Sequence, residues 1–394
     1  MGSSFDQSKL ELYRLMGVTF MFSIAMMMIN PILPLYILEV GASKLELGLI
    51  MAISSLSGIV LRIPFGMASD KLGRRIVMLF SLLTYSTALI LLSTINRVIL
   101  LYPVALLLSI PMASYIPSST AAVMDLAPLE DRGTTMGIYF TSFGTATILG
   151  PLLCSFLVKS LSYRQLLLVT SLFPLLAVLI LTKGTSSVLT GGPVDAGGRP
   201  SSTLKSIKSL LKSKSLVGLS LGRLSFSTAG FVFATLFPVY ANKDLLMTAS
   251  SIALLYSARG AANAISRLPS GKLCDLVGPK RLLLLAYSLL SFFYLAVPSL
   301  SSFHLLLLLM AVNGIGWGVR VVSDQTIASE ILEPEVRGLG TAFLGTMFSI
   351  GRFLGSLLAG IFATLMPIPR VIRIFGVLPV LGLLAVFLLV REDS

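Results

Sequence analysis

Five charged side chains inside otherwise apolar runs are confined to the second half of the chain and have no charged counterpart in the first: Arg223, Arg259, Arg320, Asp324 and Arg352. An ionisable group in hydrocarbon costs roughly 2.5–3.5 kcal/mol on insertion scales, so each is a functional candidate expected to face a cavity. A guanidinium fork matches a carboxylate or a phosphate, which makes the four arginines candidate anion binders. Asp324 is a candidate proton carrier. It also stands four residues from Arg320 on one helical face, where the two can simply neutralise each other. Trp317 and Asn313 continue the Arg320 face at three- and four-residue spacings. The first half of the chain offers Asn30, Tyr36, Tyr115, Ser118, Ser119 and Tyr139 but no mid-run carboxylate, and its rings serve core packing equally well. Cys154, Cys274 and the single His304 make neither a disulfide framework nor a common metal site. With no nucleophile–base pair either, neither an enzyme nor a bound cofactor is expected.

The elements that must position these residues follow from composition. The 394 residues are 55% hydrophobic and 12% charged, with a mean hydropathy of +0.92. A soluble domain carries about 25% charge, so lipid is the expected solvent. Crossing it takes about 20 apolar residues, and such runs occur near 13–38, 46–66, 76–95, 98–124, 134–158, 162–182, 215–241, 249–270, 280–299, 303–328, 338–365 and 371–390. Backbone groups cannot go unsatisfied in hydrocarbon, and period-2 alternation is absent. All twelve runs are therefore predicted to be helices of an all-α polytopic membrane protein.

Between the sixth and seventh runs, Gly184, Gly191, Gly192, Pro193, Gly197, Gly198 and Pro200 stand among Ser and Thr, the composition of a linker. It ends in Leu204, Ile207, Leu210 and Leu211 opposed by Lys205, Lys208 and Lys212. That pattern suits a short amphipathic helix on an anionic membrane surface, or solvated charge that orients the chain. The predicted domains are thus 1–183, a six-helix bundle; 184–214, a cytoplasmic linker; and 215–394, a second six-helix bundle. The net charge of +13 sits mainly in connections, which signals topology rather than nucleic acid. Seventeen of the 30 Lys and Arg residues fall in one set of alternate connections and seven in the other. Both termini are expected to be cytoplasmic in a multi-pass protein of the cell membrane. The first residues lack a cleavable apolar core, so the mature chain is expected to begin at Met1.

A charged turn, Gly66 to Arg75, recurs 205 residues later: Gly66, Asp70 and Gly73 become Gly271, Asp275 and Gly278. At the same offset Arg62-Ile63-Pro64 recurs as Arg267-Leu268-Pro269, Asp125 as Glu330, Arg132-Gly133 as Arg337-Gly338 and Gly150 as Gly355. The chain therefore reads as a tandem duplication of a six-helix unit. Because six is even, the copies share one orientation and a pseudo-axis along the membrane normal. The charges in the C-terminal half break the repeat: Arg259 corresponds to Ser54, Arg320 to Tyr115, Asp324 to Ser119 and Arg352 to Thr147, while Arg223 falls near Thr19. Within the turn, Gly66 and Gly73 suit tight geometry and close helix approach, Asp70 suits the amides opening the next helix, and Arg74 and Arg75 can meet a carboxylate such as Asp125. Ala146, Gly150 and Cys154 match Gly351, Gly355 and Ala359 as a small-residue ridge for helix packing.

On these residues the sequence resembles the major facilitator superfamily over nearly its whole length, in the twelve-helix prokaryotic type and the drug and organic-solute antiporter branch. The family pattern G-x-x-x-D-[R/K]-x-G-[R/K]-[R/K] is met at Gly66, Asp70, Lys71, Gly73, Arg74 and Arg75; the second copy departs from it at Leu276 and Pro279. Gly150-Pro151 looks like the family's antiporter-associated motif, although Ala146 and Cys154-Ser155 stand where glycines are usual. The resemblance implies secondary transport by alternating access. It also implies a gating role for Gly66, Asp70, Gly73, Arg74, Arg75, Asp125, Arg132, Gly271, Asp275, Gly278, Glu330 and Arg337; turn geometry and topology are the plainer role for the same residues. The leading expectation is a small organic anion bound by Arg223, Arg259, Arg320 and Arg352, with Asn313, Trp317, Asn30 and Tyr115. The alternative is proton-coupled export of amphipathic or cationic compounds through Asp324. A reading of another class is a transporter-like sensor or lipid-handling protein that pumps nothing. The expected partners are a small solute, protons as a candidate coupling ion and the bilayer, not nucleic acid, and the chain is expected to act as a monomer.

Overall fold

Lipid leaves the backbone only internal hydrogen bonds, and the computed structural model is accordingly helical throughout the residues it describes, 2–127, 132–183, 213–332 and 337–390. In chain order the first helices are α1 (Gly2–Ile29), α2 (Leu33–Glu39), α3 (Lys44–Val60), α4 (Arg62–Leu72), α5 (Arg74–Thr94), α6 (Val98–Leu126), α7 (Arg132–Leu157) and α8 (Tyr163–Thr182). They are followed by α9 (Lys214–Lys243), α10 (Ala249–Val277), α11 (Pro279–Ala296), α12 (Phe303–Ile331), α13 (Arg337–Leu365), α14 (Ile368–Phe375) and α15 (Leu378–Leu389). The predicted amphipathic stretch 204–212 lies outside the described residues.

All twelve predicted runs fold as helix, but not all as straight, fully apolar ones. Among the described residues, ten helical stretches are long and apolar enough to cross a membrane, and α3 with α4, bent by 55°, makes an eleventh. The second run is thus a broken helix. The first run also breaks, between Ile29 and Leu33, where Pro31 and Pro34 deny the backbone its donors. The run at 249–270 extends to Val277 as α10, which is long enough to span yet not apolar enough, since it carries Arg259, Asn263, Arg267 and several serines.

The chain forms two compact units, one of Met1–Gly41 with Leu56–Gly197, the other of Ala42–Ser55 with Gly198–Ser394. The first part of α3 therefore belongs with the second unit, where the Gly48 and Gly360 backbones leave no room for a side chain. In the first unit α1 packs on α7 and α8, and α5 on α6 and α8. In the second, α10 packs on α12, α9 on α13 and α15, and α11 on α12. The small-residue ridge does what its spacing predicts in both units. A Cβ at Gly150 would meet Met27 and the Ile24 carbonyl of α1, and one at Gly355 would meet the Thr228 carbonyl of α9.

The charged turn is sharper than its pattern suggests. Gly73 alone forms it, at φ +94°, and Gly278 repeats it at φ +93°, a region closed to residues with a Cβ. Gly66 and Gly271 sit inside α4 and α10 with open space beside them, so the expected roles in a tight turn and a close approach do not hold for Gly66.

Candidate functional site

Two of the sequence-predicted arginines converge on one carboxylate. Asp324 Oδ2 lies 2.7 Å from Arg223 Nε and 3.0 Å from Arg320 Nη1, joining α9 to α12. The Arg320 contact is a directed hydrogen bond; the Arg223 N–H does not aim at the oxygen, so that contact is Coulombic. The partner of Arg223 comes from a helix about a hundred residues away along the chain. Arg320 is nearly sealed, with 8% of its side chain exposed against 14% for Arg223, and so acts as an anchor. Its guanidinium also stacks 4.1 Å from the Phe226 ring and 5.3 Å from Trp317. The second oxygen, Asp324 Oδ1, is buried without a hydrogen-bond partner.

One turn away on α12, the Trp317 ring receives a second cation. Arg259 lies 5.3 Å from the ring centroid and has no carboxylate within ion-pair distance among the described residues. Asn313 is fully buried, and neither its amide oxygen nor its nitrogen closes a well-formed hydrogen bond. Trp317 Nε1 and the hydroxyls of Tyr256, Tyr287 and Tyr294 are in the same state. The arrangement therefore holds fixed positive charge, aromatic faces and unspent hydrogen-bonding capacity in one unit. Arg352 stacks on Phe231 at 5.0 Å. The tyrosines and Phe226 were not among the expected site residues; Phe226 is signalled only by standing three residues from Arg223.

The first unit puts hydroxyls where the second puts charge. Tyr115 OH meets Thr19 Oγ1 at 2.8 Å, and Ser119 Oγ meets Tyr139 OH at 2.7 Å, with Thr19 also donating to Tyr139 at 3.5 Å. Tyr115 is fully buried with its hydroxyl spent on Thr19, whereas Asn30 is exposed and donates only to the Met27 sulfur at 3.5 Å.

At the charged turn, Arg74 is the hub. It pairs with Asp70 and, at 3.3 Å, with Asp125, as its chemistry suggests. Asp70 does not accept from the amides opening α5, which has no side-chain cap; Arg74 takes it instead. Arg75 meets no carboxylate among the described residues but donates to the Thr182 carbonyl at 2.6 Å, closing the end of α8. In the second copy Pro279 stands at the Arg74 position, and the exposed Asp275 forms no ion pair among the described residues. Glu330 lies at the exposed end of α12; the side chains of Arg132 and Arg337 lie outside the described residues. Among the described residues no cluster could hold a metal ion.

Known proteins match this architecture along its length. The chain is 23% identical over 369 residues to the multidrug resistance protein MdtG of Proteus mirabilis, covering 90% of this chain and 89% of that one. It is 24% identical over 348 residues to the multi-drug resistance efflux pump PmrA of Streptococcus pneumoniae, covering 85% of each. The solved nucleoside transporter NupG superposes with a TM-score of 0.80 at 15% identity, over 97% of this chain and 99% of that one. The family model of the Major Facilitator Superfamily matches residues 15–248 and 219–394. The bent spans, the charged turn and that match agree: the chain is a multi-pass membrane transporter, not an enzyme, and belongs to the major facilitator superfamily.

Proposed function

We propose that this secondary transporter carries a small organic anion by alternating access, with Arg223, Arg259 and Arg352 as anion contacts and Arg320 as their buried anchor. The observation that carries this reading is the charge balance of the second unit: Arg223 and Arg320 share the single carboxylate of Asp324, and Arg259 rests on Trp317 without one. Fixed cations beside aromatic faces select a planar or amphipathic anion. The turn at Gly66–Arg75, with Arg74 joined to Asp125, serves as a cytoplasmic gate that re-forms in each cycle. Both termini face the cytoplasm, in line with the excess of basic residues in those connections. The test is uptake into proteoliposomes from a panel of labelled organic anions, comparing the wild type with Arg223→Gln, Arg259→Gln and Arg352→Gln. Each variant is expected to lose roughly tenfold or more in kcat/KM, the worth of a charged hydrogen bond. Unchanged transport of every anion in all three overturns the reading.

A second reading draws on the relatives' names and on the unpartnered Asp324 Oδ1: proton-coupled export of amphipathic compounds, with Asp324 as proton carrier. Under it, Asp324→Asn abolishes transport driven by a pH gradient. Under the anion reading the same variant still binds and exchanges anions.

A further inference from the structure

The second unit also carries a cavity lined by none of the charged residues already described. It measures about 430 Å³, within the roughly 300–1,000 Å³ of small-ligand sites, and is walled by the ends of α3, α9, α13 and α14, all within one compact unit. Lys44 opens the α3–α4 span that Gly73 closes, so the cavity stands at the far end of that span from the charged turn. Three charged side chains line it, Lys44, Lys243 and Asp244, all exposed and none in an ion pair among the described residues. Two of them oppose the local electrostatics. Lys44 occupies the first turn of α3, at the positive end of its macrodipole, and Asp244 caps the negative end of α9. The nearest acid to Lys44 along the chain is spent, since Glu46 accepts from the Ser43 amide at 2.8 Å and closes the cap of α3. The repeat keeps that cap as Thr248, which accepts from the Ser251 amide, but puts Ala249 at the Lys44 position. Helix formation therefore explains neither charge, and a ligand bearing both signs explains both. The rest of the wall is apolar apart from Thr364, whose hydroxyl donates to the Ile361 carbonyl at 2.7 Å. Leu365 stands in it with 70% of its surface exposed, as an apolar residue at the edge of hydrocarbon does.

We propose that this cavity binds the headgroup of a zwitterionic amine phospholipid, with the phosphate on Lys44 and Lys243 and the ammonium on Asp244. The C-termini of α9 and α13 both end here, and their dipoles add to the attraction for the ammonium. A headgroup that is only anionic leaves Asp244 unanswered and facing like charge. The apolar wall and the exposed Leu365 continue toward the acyl chains, which separates a lipid from a soluble zwitterion. A lipid seated here ties α3 to α13 about one turn beyond the point where the Gly48 and Gly360 backbones meet. The inference stands apart from the anion reading, because the two sites share no residue.

The experiment titrates the purified full-length protein in detergent with short-chain phosphatidylethanolamine, and with phosphatidylglycerol of the same chain length, and counts bound lipid by native mass spectrometry. The wild type is expected to hold one phosphatidylethanolamine in preference to phosphatidylglycerol. Lys44→Gln and Lys243→Gln are each expected to weaken that binding roughly tenfold, the worth of a charged hydrogen bond, and Asp244→Asn to remove the preference between the two lipids. Lys159→Gln, at an exposed lysine just past the end of α7 and outside the cavity, is the control and is expected to change nothing. All four substitutions are at exposed positions, so melting temperatures close to that of the wild type are expected. Equal binding of the two lipids by the wild type overturns the proposal, as do cavity variants that bind like the wild type or a control that weakens binding as much as they do. Free phosphoethanolamine is the last arm: if it displaces the lipid at equal concentration, the ligand is a soluble zwitterion and the lipid assignment falls.

Discussion

In the first unit Thr19, Tyr115 and Ser119 sit in a chain of hydroxyls closed through Tyr139; 204 or 205 residues later, Arg223, Arg320 and Asp324 sit in a chain of charges. The aromatic setting around the two is nearly the same. Phe22 meets Tyr85 and Tyr115 with ring centroids 5.3 and 4.4 Å apart, and Phe226 meets Tyr287 at 6.0 Å and the Arg320 guanidinium at 4.1 Å. One duplicated scaffold therefore holds two kinds of polar core. The hydroxyl chain satisfies itself and asks nothing of a ligand. The charged chain leaves an oxygen of Asp324 and a nitrogen of Arg320 unpartnered, and its two cations share one carboxylate. Architecture explains what the halves have in common, and a solute is the natural use for what they do not.

The sharpest break in this comparison comes from removing its centre. Asp324→Ala leaves two buried guanidiniums without a counter-charge and is expected to cost about 3–5 kcal/mol. Ser119→Ala at the matched position loses a neutral hydrogen bond and is expected to cost about 1 kcal/mol. Thermal unfolding of the two purified variants in detergent measures the gap; equal losses would mean that the charges are no more structural than the hydroxyls.

The turn glycines test the opposite claim, that the halves are equivalent where the backbone decides. Gly73→Ala and Gly278→Ala each force a Cβ into a conformation that costs about 1–3 kcal/mol, and the two melting shifts should agree. Smaller still is Tyr115→Phe, which frees Thr19 from its partner and is expected to cost about 1 kcal/mol with no loss of anion transport. At the bottom of the scale, Gly66→Ala places a methyl in open space within a helix and should be neutral or stabilising by up to about 1 kcal/mol, despite its place in the family pattern.

Much of this was legible in the residues. The twelve helical runs, the register of the duplication, the Arg74–Asp125 pair, the Arg320–Asp324 pair and the close-packing ridge at Gly150 and Gly355 follow from local spacing or from the repeat. Pro31 and Pro34 mark the break in the first span, whereas the bend in the second was not read. Nor could spacing say that Arg74 takes Asp70 from the α5 amides, or that Arg75 caps α8; those are choices between partners that are both in reach.

Sequence alone determined that this chain lives in lipid, in helices and in two copies. Hydrocarbon forces each span to be apolar along its own length, and duplication leaves the same residues at a fixed offset. Only the tertiary structure decided which charges meet. Arg223 finds Asp324 because α9 and α12 are brought together within one unit. An ion pair is fixed by a few ångströms in space, and no count along the chain contains that distance.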